Sequence, residues 1–202
     1  MTTSQYKYTG ITPYSYDEHG SITFLLGRES IIPGWSESGK WSDFGGSPDH
    51  ETENVLDSAV RECFEETMGI LGCQQTLKDK LQTCSQIVIT NDKSSAMIYL
   101  MPIEYDTNLP IHFNRIYNYL TKCSQDHPSW KGFRYIPSCP EGYYEKIEMK
   151  WVTINTIKNA IISNDESYRK SFLNSMKVIV SQEKHSFSRA FKFAEFEEAV
   201  SM

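Results

Sequence analysis

Apolar residues recur along this chain in two rhythms, and the changes of rhythm mark out its elements. Residues 8–28 read as a β-hairpin: apolar and aromatic runs at 11–16 and 22–26 flank the turn Asp17-Glu18-His19-Gly20. Residues 30–40 hold Pro33, Gly34 and Gly39 and read as a loop. A short strand is expected over 41–44, stopping at Gly45-Gly46. The period then changes. Between 54 and 67, Leu56, Ala59, Val60 and Cys63 fall on one helical stripe. Asn54 stands where an N-cap belongs, Asp57 follows three residues later as in a capping box, and Gly69 and Gly72 lie where a helix end is wanted.

Two further β-rich runs, 83–90 and 96–103, are joined by Asn91-Asp92-Lys93-Ser94 as a second hairpin. Residues 113–123 read as a helix, and 125–144, with three prolines and two glycines among aromatics, as a long structured loop. A strand over 147–154 and a helix over 156–163 follow. A last amphipathic helix covers 168–182, with Phe172, Met176 and Ile179 on one side. Strands bracketing one strong helix, then strand and helix again, predict an α+β protein: a mixed β-sheet with flanking helices. There is no internal repeat. At 202 residues, with 39% hydrophobic content, the chain is long enough for one full core and short for two. The expected organisation is a main domain over 1–165 and a helical extension over 166–202 packed on it.

Charge changes the picture in one place. Of 26 acidic residues, seven (Asp49, Glu51, Glu53, Asp57, Glu62, Glu65, Glu66) lie between 49 and 66, where Arg61 is the lone base among 20; elsewhere nineteen acids face nineteen bases. The whole net charge of −6 therefore sits in one short segment. A charge run is ordinarily a solvated face, but crowded carboxylates repel unless water screens them or a cation sits among them. Five cysteines (Cys63, Cys73, Cys84, Cys123, Cys139) are odd in number and lack zinc-ligand spacing, so reduced thiols are expected. Residues 1–7 lack a signal-like apolar core and no apolar run approaches membrane-spanning length. A soluble, intracellular, cytoplasmic protein with no membrane partner is the expectation.

The spacing of the acids separates the two readings. Glu62, Glu65 and Glu66 project from one side of the helix, within an arc of roughly 120° at about 100° per residue. The apolar stripe points elsewhere, so the helix is anchored by one face and offers carboxylates on another. Hard oxygen ligands at this density suit Mg²⁺ or Mn²⁺. Arg61 lies beside them, and Glu53, about two turns earlier, is placed to lock the preceding loop to the helix through an Arg–carboxylate pair.

The stretch GGSPDHETENVLDSAVRECFEETMGI, residues 45–70, resembles the Nudix box, GX5EX7REUXEEXGU with U a bulky apolar residue. Glu53, seven residues, then Arg61-Glu62-Cys63-Phe64-Glu65-Glu66 fall in register. Two glycines depart from it. The first should stand at 47, which is Ser47, with Gly46 one place early; the second comes one place late, with Met68 before Gly69. Both departures lie in a loop or at a helix end, where substrate fit is affected more than metal binding. The Trp-Ser-Asp-Phe-Gly-Gly lead-in and the Glu148-x-x-Trp151 strand followed by a helix are also similar to the family.

The resemblance implies an α/β/α sandwich and a hydrolase that cleaves a nucleoside diphosphate linked to another group by water attack at phosphorus. It implies Glu62, Glu65 and Glu66 as metal ligands, with the Gly46 carbonyl as a further one and Mg²⁺ or Mn²⁺ as cofactor. Glu65 or Glu66 positions or deprotonates water, and Arg61, paired with Glu53, orients the carboxylates. A general base outside the box is common in the family, on a loop before the last strand; Glu141, Glu145 and Glu148 lie there, Glu145 first among them. The expected substrate is a small nucleotide-type phosphoanhydride. Nudix proteins of comparable build in large DNA viruses make capped RNA and diphosphoinositol polyphosphates the sharper alternatives, the site of action then being the host cytoplasm. RNA wants a basic track; the 13 bases against 10 acids from His112 onward are a faint positive bias that does not decide between RNA and a small substrate. A catalytically weak nucleotide-binding module is the alternative from another class. Trp35 and Trp130 lie in loops as candidates to touch a base, Tyr143 and Tyr144 lie near the same cleft, and Trp41 and Trp151 are expected in the core or sheet. Lys40, Lys131 and Arg134 are candidate phosphate contacts. The oligomeric state is left open.

Overall fold

A computed structural model describes residues 6–50, 53–91, 94–125 and 140–182 of the chain. Strands β1 (Tyr8–Tyr16) and β2 (Ile22–Glu29) form the first hairpin, in register from Tyr14 opposite Phe24 to Tyr16 opposite Ile22. Beyond that pairing the two strands diverge and the segment 41–46 takes both as partners. Its first part, β3 (Trp41–Ser42), pairs with β2; its second, β4 (Phe44–Gly46), pairs with β1. The backbone changes partner at Asp43. The strand expected to stop at Gly45-Gly46 thus runs through them. A Cβ on Gly45 would lie 2.3 Å from the Thr9 carbonyl oxygen and 2.4 Å from Gly10 Cα, so only glycine lets β4 come this close to β1.

Helices α1 (Val55–Glu66) and α2 (Gln74–Thr83) follow, then the hairpin of β5 (Ser85–Asn91) and β6 (Ser94–Pro102). β6 runs parallel to β1 while the other pairings are antiparallel, which makes the sheet mixed. Helix α3 (Leu109–Gln125) leads to residues 126–139, which lie outside the described residues together with Trp130, Lys131, Arg134 and Cys139. The chain returns as a single 3-10 turn (Glu141–Tyr144), strand β7 (Lys146–Thr153) against β2, and helices α4 (Ile154–Ser163) and α5 (Lys170–Ser181). The strand order β3-β2-β1-β6-β5, with β4 on β1 and β7 on β2, gives seven strands among the described residues.

Side chains alternate across the sheet, and the two faces build two cores. Leu25 and Ile11 join Val60 and Cys63 of α1, Leu77 and Leu81 of α2 and Phe113 of α3 on one side. Phe24 and Leu26 join Ile157 of α4 and Phe172, Met176 and Ile179 of α5 on the other. The architecture is the α/β/α sandwich. Each fully buried leucine or phenylalanine contributes about 1.5–3 kcal/mol, so α5 is held by the same core as the sheet.

Several boundaries differ from expectation for local reasons. Helix α2 was not expected: Leu77 and Leu81 are its only fully buried residues, too thin a stripe to read. Helix α3 begins four residues early because Pro110 is accommodated in a first turn, where its missing N–H has no intrahelical partner to lose. The end of the expected loop 125–144 is the 3-10 turn. Ile154 belongs to α4, since Thr153 Oγ1 caps it by accepting from the Thr156 N–H at 3.3 Å. Tyr168 precedes α5 and bridges to Trp41 instead. Among the described residues no helix is long and apolar enough to cross a membrane, and Cys63, Cys73 and Cys84 are free thiols.

Candidate functional site

Helix α1 is fixed at both ends. Asn54 Oδ1 accepts from the Leu56 N–H at 2.9 Å, and Thr67 Oγ1 donates to the Cys63 carbonyl at 2.6 Å. Asp57 does not close a capping box; it pairs with Lys78 of α2 at 2.6 Å. After the helix both Met68 (φ 52°) and Gly69 (φ 71°) are left-handed. The late glycine is thereby explained: the exit turn needs two left-handed residues, and the first is Met68, whose side chain reaches the core.

The three helix glutamates do not form one open tripod. Glu62 and Glu65 share the Arg61 Nη1, at 3.0 and 3.6 Å. Glu62 lies tight against β4: a Cβ on Gly46 would stand 2.4 Å from its Oε1. Glu65 lies under the 3-10 turn, where a Cβ on Gly142 would come within 2.8 Å of its Cβ and Oε2. Sequence reasoning passed over Gly142; a glycine in a turn beside Glu145 was the available signal. Glu66 turns inward and is 2% exposed. Its Oε2 accepts from the Gly45 N–H at 2.7 Å and its Oε1 meets Lys146 Nζ at 3.2 Å. Among the described residues no three acidic, histidine or cysteine side chains are gathered closely enough to hold a metal ion as they stand.

Arg61 locks the loop to the helix. Its Nε and Nη2 donate to the two Glu53 oxygens at 3.0 and 3.3 Å, and Nη2 also meets Asp49 at 3.2 Å. Glu53 in turn accepts from the Asp49 N–H at 2.8 Å. Burial raises the Glu53 carboxyl, but the Arg61 and Asp49 hydrogen bonds outweigh it and hold it below the usual range.

The other acids are pushed the opposite way. Burial lifts Glu62 to about 7; Arg61 opposes this, and Glu145 and Glu65 add to it. Glu66 is raised well above its ordinary value by burial, against Lys146 and with Glu29, Glu145 and Glu62. Glu65 is raised by desolvation, with Arg61 opposing and Asp49 and Glu53 assisting. Glu145, at the end of the 3-10 turn, keeps solvent exposure; partial desolvation raises it, Lys146 opposes, and Glu29 and Glu65 add to the rise. Four carboxyls thus crowd one field that Arg61 and Lys146 only partly balance.

The remaining candidates disperse. Glu148 pairs with Arg28 at 3.2 Å, and Glu141 opens the 3-10 turn, its side chain outside the described set. Trp41 is buried with Lys150 Nζ 3.8 Å above its ring, and Trp151 donates to the Asp106 carbonyl at 2.8 Å. Trp35 is 5.7 Å from the Arg169 guanidinium, Tyr143 packs edge-on against Phe64 at 6.2 Å, and Tyr144 is half-buried. Lys40 meets Glu37 at 3.6 Å.

The fold is that of the Nudix hydrolases. A Nudix hydrolase from M. smegmatis, RenU, superposes with a TM-score of 0.51 over 89% of this chain and 86% of its own, at 13% identity. A Nudix hydrolase from Alicyclobacillus acidocaldarius gives 0.48 over 90% and 93% at 12% identity, and a C. elegans Ap4A hydrolase 0.43 over 87% and 98% at 18%. No protein-family model matches the sequence, and none of the curated proteins matches it.

Proposed function

We propose that this chain, with its Nudix fold, is a divalent-metal-dependent hydrolase of a phosphoanhydride bond in a nucleoside diphosphate linked to another group. The observation that carries this is the placement of Glu62 and Glu65 between Gly46 and Gly142, beside Glu145, with Arg61 as the cation they share.

The donor set fits Mg²⁺ or Mn²⁺ in kind: hard oxygens in excess of local positive charge, their carboxyls raised first by burial and then by neighbouring carboxylates. It fits incompletely in geometry, since Arg61 Nη1 now stands between Glu62 and Glu65 and both Glu66 oxygens are engaged. Glu62 and Glu65 would hold the ion, with the Gly46 carbonyl as a further donor; the box also implies Glu66, whose two oxygens are engaged elsewhere. Bound there, the ion would neutralise phosphate charge and acidify water. The chain's own residues do the rest. Arg61 swings on its Glu53 anchor and keeps the carboxylates pointed one way. Glu145, whose raised carboxyl is poised for proton transfer, accepts the proton of the attacking water. Glu65 orients that water from beneath the turn.

The engagement of Glu66 favours a second reading, a nucleotide-binding module with weak catalysis. A panel of phosphoanhydrides (dinucleotides, nucleotide sugars, nucleoside triphosphates, capped RNA, diphosphoinositol polyphosphates) with Mg²⁺ or Mn²⁺ in ¹⁸O-labelled water separates the two. Turnover that Glu65→Gln abolishes with the fold intact supports the enzyme; tight nucleotide binding without turnover supports the module. A steep salt dependence confined to long RNA would favour decapping.

A further inference from the structure

We propose that Lys146 takes the place of a metal ion at Glu66, making that glutamate a structural tie and leaving metal binding to Glu62 and Glu65. The inference rests on the metal-dependent reading above and assigns Lys146 as a positioning residue within it.

The argument is one of coordination and charge. The Lys146 ammonium donates to Glu29 Oε1 and to Ser42 Oγ at 2.8 Å and forms an ion pair with Glu66 Oε1 at 3.2 Å. Lys146 is 0% exposed, so no water competes. Arg169, at the start of α5, donates to the same Glu29 oxygen at 3.0 Å. Glu66 and Glu29 thus already have Lys146 and Arg169 beside them, with the buried Asp43 in the same field, so positive charge is supplied at Glu66 without any ion. The second Glu66 oxygen is occupied by the Gly45 N–H. A divalent cation reaching Glu66 would meet the Lys146 ammonium across a buried, poorly screened distance, where like charges repel far more than in water. Among the described residues Glu62 and Glu65 have no such internal partner. Their cation is an arginine at the solvent edge, shared with Glu53 and Asp49.

The test titrates manganese into the full chain, followed by electron paramagnetic resonance, for wild type, Glu62→Gln, Glu66→Gln and Lys146→Met. Glu62→Gln should weaken Mn²⁺ binding about tenfold or more, while Glu66→Gln should stay within about threefold of wild type. Lys146→Met should bind a further equivalent of Mn²⁺ and gain thermal stability from it. Equal weakening in Glu62→Gln and Glu66→Gln overturns the proposal, as does unchanged stoichiometry in a folded Lys146→Met. Should that variant not fold, Mg²⁺ titration of wild type labelled at glutamate carboxyl ¹³C decides: the Glu66 signal should hold still while those of Glu62 and Glu65 move, and the reverse refutes it. Absence of Mn²⁺ binding in wild type refutes the metal-dependent reading; a site gained in Lys146→Met would still uphold the substitution, and none in either would end both.

Discussion

Glu62 and Glu66 are one helical turn apart on α1, yet they belong to different chemical regions. Around Glu62 and Glu65 the cation is Arg61, partly solvated and divided among four carboxylates. Around Glu66 the cation is Lys146, fully enclosed and shared with Glu29, with Arg169 pairing to Glu29 and the buried Asp43 in the same field. The first region is left with repulsion that a ligand can relieve. The second already holds its cation. Identical residue types in one motif thus divide into a binding half and a structural half, and what decides is the partner each finds in the sheet.

The largest effect should come from opening the structural half. Glu29→Gln removes a carboxylate that accepts from Lys146, Ser42 and Arg169 together. Breaking a buried pair on one side leaves an uncompensated charge and costs about 3–5 kcal/mol. Urea denaturation should show that loss; a cost under about 1 kcal/mol would mean that the network is open to water. In the binding half the same kind of change should act on chemistry instead. Glu65→Gln should lower metal-dependent turnover about 100-fold or more, roughly 3 kcal/mol in the barrier, with the unfolding midpoint little moved. A variant that loses stability but keeps turnover would erase the distinction.

Next in size is a change at the seam. In Gly46→Ala the new Cβ would stand 2.4 Å from Glu62 Oε1, so that carboxylate must swing aside. Mn²⁺ affinity should fall about tenfold, and Gly142→Ala should do the same through Glu65. Affinity unchanged in both would show that neither carboxylate holds the ion.

The pH dependence sharpens the contrast further. Burial raises Glu29, but Lys146, Ser42 and Arg169 outweigh it, so its folded value lies below the unfolded one. Its contribution is present above the unfolded value, about 4.3, and is lost as pH falls through the lower folded value. Glu29→Gln abolishes that term. The stability gap between wild type and variant should narrow by on the order of 1 kcal/mol in strongly acidic solution, measured by denaturation at a series of pH values. A gap constant down to low pH would place the coupling elsewhere.

What could be read from the sequence follows the same division. The strands and α1 were legible because periodicity is local, and the register of Glu53, Arg61, Glu62, Glu65 and Glu66 was legible because it lies within one motif. That Glu66 faces Lys146 was not. The two are distant in the chain, and the contact exists because β7 pairs with β2 and brings Lys146 opposite Glu29. The strand expected over 41–44 runs on to Gly46 for a related reason: Gly45 looks like a breaker until β1 lies against it. Helix α2 carries too little apolar surface to announce itself, and its place is set by packing under α1.

The smallest predicted effect tests whether the two halves are independent. Met68 sits at the end of α1 with φ 52°, a conformation costing a non-glycine residue roughly 1–2 kcal/mol. Met68→Gly removes that strain but also removes a side chain whose burial is worth about 1.5–3 kcal/mol. Burial wins, and the variant should be less stable by roughly 1 kcal/mol. Glu66 lies two residues away and is held by Gly45 and Lys146, not by the exit turn. Mn²⁺ affinity should therefore be unchanged in Met68→Gly. If it falls together with stability, the helix end transmits strain to Glu62 and Glu65, and the binding half depends on the packing of the structural one.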